Sequence, residues 1–167
     1  MILVNTGNGK GKTTACVGLV IRAMGQDFTV AFGQFMKRND KAGEQKILST
    51  LLGDNFHAQG KGFFTRPEQF PEHRTAAQSL IRWATERIPR VDMLVLDEAL
   101  YALSAGLLQK EELQELIALA RTEETHLVLS GRGCPDWLTQ EAELVTEMTE
   151  VKHPYKQGIP AQKGIEF

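Results

Sequence analysis

Short runs of apolar residues alternate along the chain with longer segments in which apolar residues recur every three or four positions. The short runs predict strands, and the periodic segments predict amphipathic helices. Strands are expected within residues 2–4, 28–35, 56–59, 91–96, 126–130 and 144–151. Helices are expected within residues 13–24, 43–52, 66–88 and 111–121. This alternation predicts an α/β fold, a mostly parallel sheet flanked by helices on both faces.

A glycine-rich segment, Thr6-Gly7-Asn8-Gly9-Lys10-Gly11-Lys12-Thr13-Thr14, connects the first expected strand to the first expected helix. Its glycines let successive backbone N–H groups converge on an anion. Lys12 supplies a positive charge for the outer phosphates, and the hydroxyl of Thr13 can ligate Mg²⁺. The generic phosphate-loop pattern has glycine where this chain has Thr6, and a plain surface turn is the alternative. The order of strand, loop and helix favours an ATP-binding loop formed by Gly7, Asn8, Gly9, Lys10, Gly11, Lys12, Thr13 and Thr14.

Two carboxylates, Asp97 and Glu98, follow the continuous apolar run Met93-Leu94-Val95-Leu96. Such a run is typical of a parallel strand covered on both faces, and the carboxyl ends of these strands are where open α/β sheets bind ligands. Asp97 is expected to hold the Mg²⁺ shell, together with Thr13. For Glu98 three roles stay open: ordering a water, reaching the metal or bonding to the ribose. The alternative for Asp97 is a helix cap.

The chain has 167 residues, 42% of them hydrophobic, and a formal net charge of −2. This length suits one well-buried domain, and we expect a single nucleotide-binding domain over residues 1–167. The near-neutral charge argues against a general nucleic-acid binder. The cationic residues Lys10, Lys12, Lys37 and Arg38 are expected to gather on one rim that suits phosphates.

Two cysteines, Cys16 and Cys134, lack the paired spacing of a metal site and fit a reducing compartment. Cys16 lies in the first expected helix and is expected to be a packing residue. No apolar run approaches the length of about 20 residues that spans a bilayer, and the N-terminus enters a strand without a signal peptide. We therefore expect a cytoplasmic protein that does not contact a membrane.

Two C-terminal segments are unusual for a plain nucleotide-binding domain. The first is Ser130-Gly131-Arg132-Gly133-Cys134-Pro135, in which flanking glycines allow close backbone approach and Arg132 can bind phosphate or carboxamide oxygens. An ordinary turn between a strand and a helix is the alternative. The second is the tail, residues 151–167, whose composition predicts ordered wrapping rather than disorder or helix. His153 in this tail is expected to be structural.

Together these segments resemble the ATP:corrinoid adenosyltransferases of the cobalamin pathway, the CobA, CobO and BtuR type. The resemblance rests on residues 6–14, Arg22-Ala23-Met24-Gly25, Gln34-Phe35-Met36-Lys37, Gly62-Phe63, Val95-Leu96-Asp97-Glu98, Gly131-Arg132-Gly133-Cys134 and the tail. Thr6 is the family's own residue at its position. The resemblance implies a P-loop, RecA-like three-layer fold in which Arg22 and Arg132 also bind ATP.

The resemblance further implies that cobalt(I) of a corrinoid attacks the 5′ carbon of ATP and releases tripolyphosphate. Loop N–H groups, Lys12 and Mg²⁺ (or Mn²⁺) would stabilise the departing charge. No protein nucleophile or general base is needed. The catalytic residues expected on this reading are Lys12, Phe63, Phe64 and Glu98. Phe63 and Phe64 would press on the lower corrin face and exclude water, with Thr65 standing where relatives often have tryptophan; core packing is their alternative.

Relatives often carry an N-terminal helical arm ahead of the first strand. The first strand begins here at residue 2, so we expect the tail or a subunit partner to close the corrinoid site. The resemblance also suggests a homodimer and a reduced flavoprotein as electron donor. Two rival functions remain: a P-loop NTPase that hydrolyses ATP with Glu98 polarising a water, and a noncatalytic corrinoid or nucleotide carrier.

Overall fold

The computed structural model describes residues 1–38, 42–58, 60–62 and 66–166. Its strands are β1 (Ile2–Thr6), β2 (Val30–Gln34), β3 (Phe56–His57), β4 (Met93–Asp97), β5 (His126–Ser130) and β6 (Leu144–Glu147). Its α-helices are α1 (Lys12–Met24), α2 (Gly43–Leu52), α3 (Phe70–Arg87), α4 (Ala99–Ser104), α5 (Lys110–Thr122) and α6 (Asp136–Glu141). Short 3-10 helices cover Gly53–Asn55, Pro67–Gln69, Ile88–Arg90 and Pro154–Gln157.

The six strands form one sheet in the order β3-β2-β4-β5-β1-β6, and every described pairing is parallel. The central strand β4 is buried along its whole length, which explains its continuous apolar sequence. Leu94 and Leu96 face one apolar cluster, whereas Met93 and Val95 face the other. The first cluster contains residues of α3 to α6, and the second contains residues of α1 and α2. The predicted three-layer α/β fold is therefore confirmed.

Several boundaries differ from the sequence prediction for local reasons. The helix expected within 66–88 begins as an α-helix only at Phe70, because Pro67 opens a separate 3-10 turn. The strand expected to reach residue 151 ends at Glu147, after which Met148 turns against the loop that follows β1. The short helices α4 and α6 carry no long apolar period and were not predicted.

Parallel pairing brings the carboxyl ends of all six strands to one edge of the sheet. The segments that follow β1, β2, β4, β5 and β6 therefore meet there, and they contain most of the chemically interesting residues. Within the described part of the chain, no helix is both long and apolar enough to cross a membrane.

Candidate active site

The loop between β1 and α1 is held in place by the chain that follows β6. Gly9 N–H donates to the carbonyl oxygen of Met148 over 2.7 Å, and Met148 N–H donates to the carbonyl of Thr6 over 2.8 Å. A Cβ at position 9 would lie 2.6 Å from that Met148 oxygen, so only glycine fits. Gly11 has a φ of 114° immediately before α1, in the region that favours glycine. The loop conformation thus depends on its glycines.

Lys12 opens α1 and folds back over the loop. Its Nζ donates to the carbonyl oxygens of Gly7 and Gly9, each over 2.7 Å, and the residue is buried. Burial lowers the pKa of Lys12, the charge of Arg132 lowers it further, and the carboxylates of Glu98 and Asp97 oppose both effects. The ammonium group therefore lies inside the loop that an anion would enter, and has no carboxylate hydrogen-bonded to it in the described chain.

Asp97 ends β4 and is fully buried. The hydroxyl of Thr13 donates to its carboxylate, with Oγ1 3.1 Å from each oxygen. Ser130 Oγ donates to Oδ1 over 2.6 Å, and Gln34 Nε2 donates to Oδ2 over 3.0 Å. These donors come from α1, β5 and β2, so the carboxylate ties three elements together. A buried carboxylate needs hydrogen-bond donors of this kind, because it cannot be hydrated by bulk water.

A second set of contacts holds these donors. Gln45 Nε2, from α2, donates to Gln34 Oε1 over 2.9 Å, and Glu98 N–H donates to Ser130 Oγ over 3.1 Å. Gln34, Gln45 and Ser130 are buried and were missed as site residues in the sequence. Gln34 and Ser130 are each a polar residue at the carboxyl end of a buried apolar strand, and this pattern could have identified them as site residues from the sequence.

Lys37 also reaches Asp97, from the segment after β2. Its Nζ lies 3.2 Å from Asp97 Oδ2, 3.3 Å from Thr13 Oγ1 and 2.9 Å from Glu44 Oε1. Burial lowers the pKa of Lys37, but the charges of Asp97 and Glu44 outweigh it and the net effect raises the pKa. The sequence placed Lys37 in a cationic rim without a specific partner, and Glu44 was not predicted at all.

Glu98 has an unusual backbone conformation, with a φ of 61° and a ψ of 20°. Non-glycine residues in this left-handed region cost free energy and cluster at functional sites. Burial raises the pKa of the Glu98 carboxyl, and the negative charge of Asp97 raises it further against the opposing charges of Lys37, Lys12 and Arg132. The Glu98 carboxyl group is therefore partly desolvated.

Several of these residues line a cavity of about 530 Å³ at the carboxyl edge of the sheet. Its lining includes Asn8, Gly9, Lys10, Gly11, Lys12, Thr13, Thr14, Lys37, Glu44, Glu98, Arg132 and His153. The tail supplies a further wall. Lys10 Nζ donates to the carbonyl oxygen of Ile165 over 2.7 Å and lies 3.7 Å from Glu166 Oε1, and His153 Nδ1 accepts from Tyr155 N–H.

The structure does not bring every predicted residue to this cavity. Arg22 lies exposed in the last turn of α1, about 15 Å along the helix axis from Lys12 at 1.5 Å per residue. Arg22 is not among the residues that line the cavity, and its contact with ATP stays a prediction. Phe63, Phe64 and Thr65 lie outside the described residues, and their predicted place against a corrin stays a prediction. The adjacent Gly62 N–H donates to the carbonyl oxygen of Met36 over 2.6 Å.

The oxygen atoms of Thr13, which lines the cavity, and of the buried Asp97 behind it fit Mg²⁺. The Thr13 hydroxyl lies 3.1 Å from each oxygen of the Asp97 carboxylate, and Mg²⁺ takes oxygen ligands while keeping several waters and substrate phosphates. Among the described residues no group of three or more His, Cys, Asp or Glu side chains forms a dedicated metal cage. A hydroxyl and one carboxylate beside a phosphate loop match an ion that is bound together with a nucleotide.

Solved structures with similar folds confirm the architecture. The chain superposes on the KaiC-like protein from Pyrococcus horikoshii with a TM-score of 0.59 and 14% identity, covering 87% of this chain and 71% of that one. It superposes on the flagellar accessory protein FlaH from Methanocaldococcus jannaschii with a TM-score of 0.57 and 10% identity, covering 87% and 69%. At these identities the likeness concerns the fold alone.

Sequence comparison is more specific. The corrinoid adenosyltransferase CobA of Salmonella typhimurium is 36% identical over 170 residues, which cover all of this chain and 85% of that protein. Corrinoid adenosyltransferases of Sinorhizobium sp and Pseudomonas aeruginosa are each 35% identical, with coverage of 80% and 83% of their lengths. The family model for ATP:corrinoid adenosyltransferase BtuR/CobO/CobP matches residues 1–167. With its phosphate loop and buried Asp97 at one edge of a parallel sheet, this chain belongs to the ATP:corrinoid adenosyltransferase family.

Proposed function

We propose that this protein transfers the 5′-deoxyadenosyl group of ATP to the cobalt(I) centre of a corrinoid, with the cavity described above holding the triphosphate. As a member of its family it is a transferase for ATP-dependent adenosylation of a corrinoid in cobalamin synthesis. In this reaction the cobalt(I) electron pair forms a bond to C5′. The C5′–O bond breaks, and its electron pair leaves with tripolyphosphate.

One observation carries the assignment of the site: the cations Lys12, Lys10 and Arg132 and the phosphate loop line the same cavity. The leaving group is an entire triphosphate, so charge develops on the atoms that this cavity would surround. Preorganised N–H groups and ammonium groups lower the barrier when they meet charge that grows in the transition state. Lys12 is the residue we assign to this role, because its ammonium already lies within the loop.

The proposal requires no proton transfer from a side chain. The nucleophile is the reduced corrinoid, and the leaving oxygen departs as an anion stabilised by its surroundings. Glu98 lines the cavity, and we assign it to contacts with the nucleotide ribose or with the metal shell. Arg132, which is exposed at the rim, is assigned to the outer phosphates.

Thr13 and Asp97 are the residues that would hold Mg²⁺ or Mn²⁺. When bound, such an ion supplies positive charge that stabilises the departing phosphate oxygens. Gln34 and Ser130 orient the Asp97 carboxylate through their hydrogen bonds, which are 3.0 Å and 2.6 Å long. Outer contacts of this kind are general features of metal sites.

Further parts of the proposal rest on the family resemblance. They are a single catalytic domain, a homodimer, a reduced flavoprotein as electron donor, a cytoplasmic location, and Phe63 and Phe64 against the lower corrin face. A cobalt(I) centre forms more readily when its lower axial ligand is absent, and apolar rings are suited to excluding water there. A Phe63→Ala variant is expected to slow adenosylation while ATP binding stays unchanged; equal loss of both would contradict this role.

The decisive experiment is anaerobic incubation with ATP, Mg²⁺ and chemically reduced cob(I)alamin. We expect a light-sensitive carbon–cobalt bond in the corrinoid spectrum and stoichiometric tripolyphosphate, with both greatly reduced in Lys12→Met. Orthophosphate without the new bond would contradict the proposal and indicate an NTPase. Tight binding without either product would indicate a carrier.

A further inference from the structure

Lys37 holds the position at which the proposed metal site would receive its cation. Its ammonium group contacts Asp97 Oδ2 at 3.2 Å and Thr13 Oγ1 at 3.3 Å, which are groups assigned above to the metal. Lys12, the cation usually expected beside a phosphate loop, is instead bonded to the loop carbonyls. Lys37 is thus the cation that neutralises the buried Asp97 carboxylate in the described chain.

The backbone directs Lys37 to this position. Met36 has a φ of 65°, and the chain turns so tightly there that Lys37 N–H donates to the carbonyl oxygen of Phe35 over 2.7 Å. On its other side the ammonium contacts Glu44 at 2.9 Å, at the start of α2. A long flexible side chain anchored by a fixed turn can move its charged end while its Cα stays in place.

A metal ion and the Lys37 ammonium require the same oxygen atoms. Two cations that share Asp97 and Thr13 at such distances repel each other, and a divalent ion offers the stronger attraction to a carboxylate. Lys37 and Glu44 also line the cavity that faces the phosphate loop. The ammonium therefore has an open space beside it, and a triphosphate in that space would attract it.

We propose that Lys37 is an exchangeable cation of the triphosphate site: it occupies the metal position between Thr13 and Asp97 before the ligand binds, and moves onto the triphosphate when the metal takes that position. This inference rests on the proposed function, since it takes Thr13 and Asp97 as the metal ligands. It adds Lys37 to the groups that bind the leaving group. It also makes metal binding weak until a triphosphate is present.

The test measures Mn²⁺ alone by the loss of its free-ion EPR signal, without nucleotide, in the full-length protein. We expect Lys37→Met to bind Mn²⁺ about tenfold more tightly than the wild type, because the competing ammonium is gone. Lys37→Gln keeps a hydrogen-bond donor for Asp97 without the positive charge, and it should also bind Mn²⁺ more tightly than the wild type. If Lys37→Met does not fold, the Mn²⁺ affinity of Lys37→Gln is the test. Lys46→Met removes an exposed cation of α2 that is not among the residues lining the cavity, and it should leave Mn²⁺ affinity unchanged.

A second titration uses tripolyphosphate at saturating Mn²⁺. We expect Lys37→Met and Lys37→Gln to bind it about tenfold more weakly, opposite in direction to the change in metal affinity. Mn²⁺ binding that is unchanged or weaker in the Lys37 variants, or equally enhanced in Lys46→Met, would overturn the exchange. Tripolyphosphate affinity that is unchanged in the Lys37 variants would contradict the proposed movement of the Lys37 ammonium group onto the triphosphate. Neither readout involves the corrinoid, so a missing carbon–cobalt bond would contradict the proposed function alone.

Discussion

Ser130 Oγ donates a hydrogen bond of 2.6 Å to Asp97 Oδ1 and accepts one of 3.1 Å from the backbone N–H of Glu98. A single buried hydroxyl therefore fixes both the proposed metal-binding carboxylate and the left-handed residue that follows it. Ser130 ends β5 and Asp97 ends β4, so this contact also joins two neighbouring strands at the edge where the site lies.

Replacing Ser130 by alanine is expected to lower the free energy of unfolding by about 1–3 kcal/mol. The change leaves the Glu98 N–H without its partner and removes one donor from a fully buried carboxylate. Urea unfolding measures the effect. Ser49→Ala is the matched control, because Ser49 is exposed and only donates to Lys46 O within α2; an equal loss in both variants would contradict the assignment.

Alanine at Gly9 is expected to destabilise the protein by about 1–3 kcal/mol, because its Cβ would meet a backbone oxygen that cannot easily move. Gly18 in α1 is the matched control. A Cβ there meets nothing within 4 Å, so Gly18→Ala should stabilise the helix by about 0.5–1 kcal/mol. Thermal unfolding of the two variants should therefore shift in opposite directions. Similar shifts would show that the contact between Gly9 and Met148 is unimportant.

Glu98→Gln is expected to stabilise the protein at pH 8 and to have little effect at low pH. Burial raises the pKa of Glu98 above its ordinary value of 4.5. At pH values between 4.5 and this raised native pKa, the native state therefore binds more protons than the unfolded state. The contribution of Glu98 to stability is therefore complete below pH 4.5 and is lost as the pH rises through the native pKa. Unfolding measured from pH 4 to 8 tests this.

The matched control for that pH series is Glu115→Gln, which removes an exposed carboxylate from α5. It shows how much the loss of one exposed negative charge by itself changes the free energy of unfolding. A constant difference for Glu98→Gln across the range would contradict the desolvation of this carboxyl group.

Glu166→Gln is expected to tighten tripolyphosphate binding by up to about fivefold, the size of an exposed ion pair. Glu166 lies 3.7 Å from Lys10 Nζ and lines the cavity, so its negative charge competes with the ligand for that cation. Isothermal titration measures the affinity. The control is Glu141→Gln, which removes a negative charge from the ion pair with Arg121, away from the cavity, and is expected to leave tripolyphosphate affinity unchanged. Weaker tripolyphosphate binding in Glu166→Gln would contradict the prediction.

Cys16 is expected to resist alkylation at pH 8 as long as the protein is folded. Burial, followed by the charge of Asp97, raises the pKa of the Cys16 thiol to about 12, and the residue has no exposed surface. Cys134 is partly exposed. Thiol titration should count one reactive group per chain in the wild type and none in Cys134→Ser. A second reactive thiol would show that α1 opens away from the sheet.

Much of the fold was predictable because its signals are local. The continuous apolar run Met93-Leu94-Val95-Leu96 indicates a buried parallel strand wherever it lies in the chain. The glycines of the loop from Gly7 to Thr13 indicate its tight backbone conformation without reference to any distant residue. The alternation of strand and helix periods then leaves few arrangements other than a three-layer α/β fold. The helices α4 and α6 escaped prediction because six residues are too few to show a period.

The sequence by itself therefore determined the fold class, the glycine-rich loop after β1 and the position of the two carboxylates at the end of β4. Only the tertiary structure decided which distant residues meet them. Lys37, Gln34 and Ser130 converge on Asp97 because β2, β4 and β5 are neighbours in the sheet, and strand order is set by long-range packing rather than by local periodicity. Arg22, by contrast, lies in the last turn of α1, and the rise of the helix alone puts it about 15 Å along the axis from Lys12.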